Sequence, residues 1–172
     1  MKKIILVSAL AFAFLVAYVP ISMTQMAKEG SVSGKTTWIV HFKGLPIGEE
    51  RVQVNYEGYG VSLSDTEEGL LHNASGYVVG SLLSVKGNYE NDSGLITFTR
   101  PDGDKVFMSY TASGQSGKVG RGIIKYVGGT GKFKGLTGSG EFTRYMLQPI
   151  KKGVIGASLS VSKSQWKIVE PK

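Results

Sequence analysis

Past residue 35 the chain is a succession of short runs in which apolar and polar side chains alternate, separated by glycine-rich or proline-containing turns. In Arg51–Tyr56, Val52, Val54 and Tyr56 alternate with Arg51, Gln53 and Asn55; in Lys105–Ala112, Val106, Met108, Tyr110 and Ala112 share one face. A period of two marks strands with one face buried. No long stretch carries helical periodicity, so helical bundles and alternating strand–helix folds are excluded. The 24 glycines and 5 prolines suit many short strands with tight turns.

The runs predict strands over Thr36–Phe42, Arg51–Tyr56 (extended by Tyr59–Leu63), Tyr77–Val85, Leu95–Thr99, Lys105–Ala112, Gly120–Val127, Gly140–Leu147, Val154–Val161 and Trp166–Val169. Between Thr99 and Lys105, Pro101-Asp102-Gly103 presets a hairpin, because proline fixes φ and glycine accepts a positive φ. Ser64–Ser75 reads as a polar loop, and Gly80 as a bulge marker. About eight strands linked as hairpins, with no second domain, favour a closed antiparallel eight-stranded barrel over a sandwich, since closure removes exposed edges.

Parity places Trp38, Val40, Phe42, Val52, Val54, Tyr56, Ile96, Phe98, Val106, Met108, Tyr110, Ile124, Tyr126, Phe142, Met146, Trp166 and Ile168 inside. Arg144 shares that face. A charge on an inward face is costly unless paired or wet. No acidic residue falls clearly inward by the same reading. Arg144 is therefore expected to be unpaired and to wait for an anionic or carbonyl-bearing ligand beside Tyr56, Tyr110 and Tyr126. The alternative is an Arg144 at the barrel mouth with its head in water. His41 and Glu141 fall on outward faces.

Lys2 and Lys3 precede an uncharged run from Ile4 to about Ile21. Residues 1–27 thus read as a signal peptide or an uncleaved membrane anchor, residues 28–35 as a linker, and residues 36–172 as one barrel domain. The expected location is periplasmic or secreted, or membrane-anchored through the N-terminal segment. Cysteine is absent, which excludes disulfides, thiolate chemistry and lipidation at a leader cysteine. The formal net charge of +7 is uneven: Lys28–Asp104 holds 6 basic and 11 acidic residues, Lys105–Lys172 12 basic and 2 acidic. A basic flank either attracts anionic partners or serves as a solvated face; no specific nucleic-acid partner is expected.

The most distinctive segment is Tyr126–Phe142, YVGGTGKFKGLTGSGEF. Gly128, Gly129 and Gly131 permit positive φ or close backbone approach, and Phe133 supplies an apolar anchor for the barrel end. This turn, with Gly135, Gly138, Gly140, Phe142, Leu147 and Pro149 after it, resembles the late-strand connection of the allene oxide cyclase and dirigent barrel superfamily, closest to small exported bacterial relatives of unassigned function. The resemblance covers about 25 residues specifically and implies an eight-stranded barrel with a partly apolar cavity, often assembled as a trimer. It carries no catalytic residue onto this chain.

Gly131-Lys132 mimics the end of a phosphate loop, but Tyr126 stands where its first glycine belongs and Phe133 where its Ser or Thr belongs. Two histidines, His41 and His72, without supporting spacing, give no metal site, and no cofactor is implied. Asn73-Ala74-Ser75 and Asn91-Asp92-Ser93 fit the glycosylation pattern. Three roles remain open: a barrel binding a small apolar or amphipathic ligand in its lumen, a cofactor-free cyclase or isomerase of the superfamily's type, and an envelope or secreted interaction protein using its basic flank. An open lumen with convergent polar groups favours the first two; a plugged one favours the third.

Overall fold

The computed structural model describes residues 27–170, so the N-terminal segment read as signal or anchor lies outside the described residues, Ala27 excepted. Eight strands follow one another: β1 (Glu29–Gly48), β2 (Arg51–Ser64), β3 (Ala74–Val85), β4 (Asn88–Thr99), β5 (Lys105–Gln115), β6 (Gly120–Gly129), β7 (Leu136–Met146) and β8 (Ile155–Ile168). Each pairs antiparallel with the next, and β1 pairs with β8, which closes the barrel. Among the described residues no helix is long and apolar enough to cross a membrane.

Four expectations need correction. Residues 28–35 are no linker: β1 starts at Glu29, pairs with β8 from Glu29↔Lys167 onward, and buries Val32. Serine and glycine in that stretch hide a strand because inward small residues face bulky partners; Gly30 lies against the Trp166 ring. The two C-terminal runs are one strand, β8, whose middle lacks an apolar inward face. The Ser64–Ser75 connection is more than a polar loop, since it drives Leu70 and Leu71 into the core. Gly80 marks no bulge: the sheet is regular there, and the irregularity falls between Ser81 and Val85.

Every residue assigned inward by parity lies buried or half-buried among the core side chains or the walls of the lumen. Aromatic rings fit inside because glycines face them. Trp38, Gly60, Gly76 and Phe98 form one cross-strand row from β1 to β4, and a Cβ at Gly76 would stand 2.8 Å from the Trp38 ring and 2.9 Å from the Phe98 ring. The rings meet over this gap with centroids 5.8 Å apart.

The connections β2–β3, β4–β5 and β6–β7 close one end of the barrel. Leu70, Leu71, Phe133 and Leu136 fill it. Arg100 ties the loops together: its Nη1 donates to the carbonyls of Gly69 and Leu70 at 2.6 Å each, and its guanidinium lies 5.5 Å from the centre of the Phe133 ring. Phe133 ends a single 3₁₀ turn, Gly131–Phe133. Gly128 occupies a bulge of β6 at φ +142°, and Gly131 opens the turn at φ +52°. At Gly129 a Cβ would stand 2.6 Å from that of Phe133, so this glycine serves close approach instead of an unusual φ.

Candidate functional site

The opposite end of the barrel is open. Val52, Val54, Leu82, Met146, Leu147 and Pro149 are among the walls of a vestibule of about 430 Å³. Its floor is polar: Tyr56, Tyr89, Asp92 and Arg144 converge there from β2, β4 and β7. Beneath that floor lies an inner chamber of about 70 Å³, whose lining shares Tyr56 and Arg144 with the vestibule.

The floor is set by register. Tyr56, Gly80, Gly94 and Tyr110 form one cross-strand row over β2 to β5. The two glycines leave room for the tyrosines to lean together until their hydroxyls touch. Tyr56 donates to Asp92 Oδ1, Tyr110 reaches the same oxygen at 3.5 Å, and the two hydroxyls meet beside it. Asp92 is fully buried. Its other oxygen, Oδ2, accepts from Arg144 Nη2 at 2.5 Å, and the same Nη2 donates to the Tyr89 hydroxyl at 3.1 Å.

Electrostatics follow from this packing. Burial, then the Asp92 charge, pushes the Tyr56 and Tyr110 hydroxyls far above the ordinary phenol range, so both remain proton donors. For Arg144 burial alone would lower the pKa, but Asp92 and Tyr89 outweigh it and hold the guanidinium charged. Arg144 Nε is buried without a hydrogen-bond partner. Both hydrogen bonds of Arg144 leave from Nη2, so the guanidinium keeps donor capacity, and Arg144 lines both cavities.

Of the predicted ligand-binding residues, Arg144, Tyr56 and Tyr110 come together. Tyr126 does not: it lies deeper, with its hydroxyl 2.7 Å from Ser164 Oγ, and burial raises its pKa to about 12. The predicted turn residues Gly128, Gly129, Gly131 and Phe133 sit at the closed end, away from this floor. The expectation of an unpaired Arg144 is overturned by Asp92. Sequence reasoning missed Asp92 because β4 was begun at Leu95, although Asp92 shares the parity of Ile96 and Phe98. Tyr89 was hidden by the bulge between Tyr89 and Asp92, which resets that parity. His41 and Glu141 are exposed, as expected from their faces, and among the described residues no group of three or more His, Asp or Glu side chains could hold a metal ion.

No known family's sequence profile matches the chain, and no curated protein matches it. A solved structure of a pterocarpan synthase dirigent protein aligns over 86% of this chain and 91% of that one, at 10% identity and a TM-score of 0.26. At that score the likeness bears no weight, and the barrel assignment rests on the chain's own strand pairing.

Proposed function

We propose that the protein binds a small amphipathic molecule in the lumen of its barrel, apolar body in the vestibule and polar end at the floor. The observation that carries this reading is the one-ended lumen: a vestibule of about 430 Å³ with a wall of aliphatic side chains and a floor of convergent polar groups. Small-molecule sites have this form, roughly 300–1,000 Å³, mostly apolar, with a few placed hydrogen-bonding groups. The test is binding of a neutral apolar fluorophore such as Nile red to the full chain, repeated with Val54→Trp, which fills the vestibule. Saturable binding lost in the variant supports the reading; absence of binding, or equal binding by the variant, sinks it.

A second reading is a cofactor-free cyclase or isomerase. It is favoured by one contact, Tyr56 to Asp92, which sets a proton donor and a carboxylate within hydrogen-bond reach in the lumen. The export reading rests on Lys2, Lys3 and the uncharged run after them. Ile39, Tyr59, Val61 and Tyr77 stand exposed on the outer wall of β1 to β3, a band that a homo-oligomer would cover; light scattering reads the mass directly. Arg121, Lys125, Lys163 and Lys167 point outward on the basic half, where they favour the surface-interaction role.

A further inference from the structure

The middle of strand β8 turns its small polar side chains inward and its apolar ones outward. Ser158, Ser160, Ser162 and Ser164 have the parity of Trp166 and Ile168 and face inward, while Ala157, Leu159 and Val161 face outward. Three of these serines, with Thr36 of β1, line the inner chamber; Trp38 stands beside Ser158, and Val78, Ile96, Met108 and Ile124 line the chamber from β3 to β6. The rows reinforce the stripe. Ser62, Thr36, Ser160 and Arg144 lie side by side on β2, β1, β8 and β7. Thr36 Oγ1 donates to Ser62 Oγ at 3.2 Å.

A hydroxyl wall inside a barrel costs stability wherever its hydroxyls lack hydrogen-bond partners, because each buried hydroxyl gives up water. Alanine in its place would fill the same volume at no such cost. Local rules broken inside an otherwise consistent sequence mark functional positions. The chamber, about 70 Å³, holds a few heavy atoms, not a whole ligand. It adjoins the vestibule, with which it shares Val40, Tyr56, Arg144 and Ser158 as lining.

The charge at that junction settles which head group suits it. Arg144 is already matched by Asp92 at 2.5 Å, so the pair presents no net charge to an incoming group. A carboxylate would have to shed its water and compete with Asp92 for the one guanidinium. An alcohol or carbonyl oxygen carries no such cost. It can accept from the Arg144 guanidinium where that side chain lines the chamber, and exchange hydrogen bonds with Ser158, Ser160 and Thr36.

From this we infer that the inner chamber is a head-group subsite for an uncharged oxygen function, so that the lumen selects fatty alcohols or ketones over fatty acids. The inference rests on the lumen-binding reading and sharpens it. Calorimetric titration of the full chain with octan-1-ol, octan-2-one and octanoate separates the two. Octanol and octanone should bind at least about tenfold more tightly than octanoate, which corresponds to one or two hydrogen bonds and one uncompensated charge. Ser160→Ala/Ser162→Ala, at two serines that line the chamber and not the vestibule, should weaken octanol by about three- to tenfold, leave Nile red binding in the vestibule unchanged, and keep the melting temperature equal or higher. Octanoate binding as well as or better than octanol overturns the subsite while leaving the vestibule reading intact, and so does a double variant that binds octanol like the parent. Failure of all three ligands and of Nile red removes the lumen reading itself.

Discussion

Arg144 of β7 and Asp92 of β4 reach across the lumen to a 2.5 Å ion pair, with Asp92 fully buried and the Arg144 side chain 16% exposed. An inward arginine without a partner could be replaced by methionine at no cost in stability. A paired one cannot, because Arg144→Met leaves a carboxylate buried and uncompensated. Breaking a buried pair from one side costs about 3–5 kcal/mol, whereas replacing both partners by apolar groups is often neutral. Arg144→Met should therefore destabilise by about that amount, and Asp92→Leu/Arg144→Met should recover most of the loss. Urea unfolding of both variants checks it; equal midpoints for Arg144→Met and the parent would remove the pair from the account.

Tyr56 and Tyr110 meet only because Gly80 and Gly94 stand between them. A Cβ at Gly80 would overlap the Tyr110 hydroxyl and stand 2.6 Å from that of Tyr56. Gly80→Ala should separate the two hydroxyls and destabilise the fold by about 1–3 kcal/mol, the usual cost of overpacking. Ser81→Ala, one residue along and on the outer face, should change little. A Gly80→Ala variant with the parent's melting temperature and near-ultraviolet dichroism would show that the floor tolerates another arrangement.

The barrel was legible because alternation and hairpin turns repeat along the chain, and the inward aromatic and aliphatic residues obey one parity. The site was half legible. Arg144 and the tyrosines stand out as polar groups on an apolar face. Asp92 precedes Ser93 and Gly94, where no apolar neighbour announces a strand. The serines of β8 are read as outward by any rule that puts apolar side chains inside, since Leu159 and Val161 occupy the other face. Both failures fall at the lumen's polar groups, where burial is decided by pairing and not by hydrophobicity.

Gly131 and Gly117 both have positive φ, +52° and +75°. Gly117 therefore also resists substitution. The two differ in what surrounds them: nothing lies within 4 Å of a Cβ at Gly117, whereas one at Gly131 overlaps the Asp104 carboxylate. Asp104 Oδ2 accepts from the Lys132 backbone amide at 3.4 Å, and Lys132 pairs with Asp102, so displacement of Asp104 loosens the closed end. Gly117→Ala should cost about 1 kcal/mol from backbone strain alone, and Gly131→Ala clearly more. Equal shifts in thermal melting would mean that the Asp104 contact yields freely.

Alkaline pH should unfold the barrel through its lumen tyrosines. Burial raises the pKa of Tyr56, Tyr110 and Tyr126 above the ordinary value of 10.0, in the last case to about 12 against the opposing hydrogen bond from Ser164. A raised folded-state pKa means that the folded chain holds protons that the unfolded chain releases. The associated stability is complete below pH 10 and is lost as pH climbs through the folded-state values, because the unfolded state binds fewer protons there. Each such tyrosine contributes a fall of about 1 kcal/mol per pH unit in that window. Phenolate absorbance should accordingly rise in two stages, the buried three tyrosines ionising only as the fold gives way. Tyr126→Phe keeps the ring and removes one proton from the linkage, so its unfolding free energy should fall less steeply between pH 10 and about 12 than the parent's. Identical slopes for Tyr126→Phe and the parent, or a single phenolate transition near pH 10 with the fold intact, would mean that these hydroxyls titrate in contact with water.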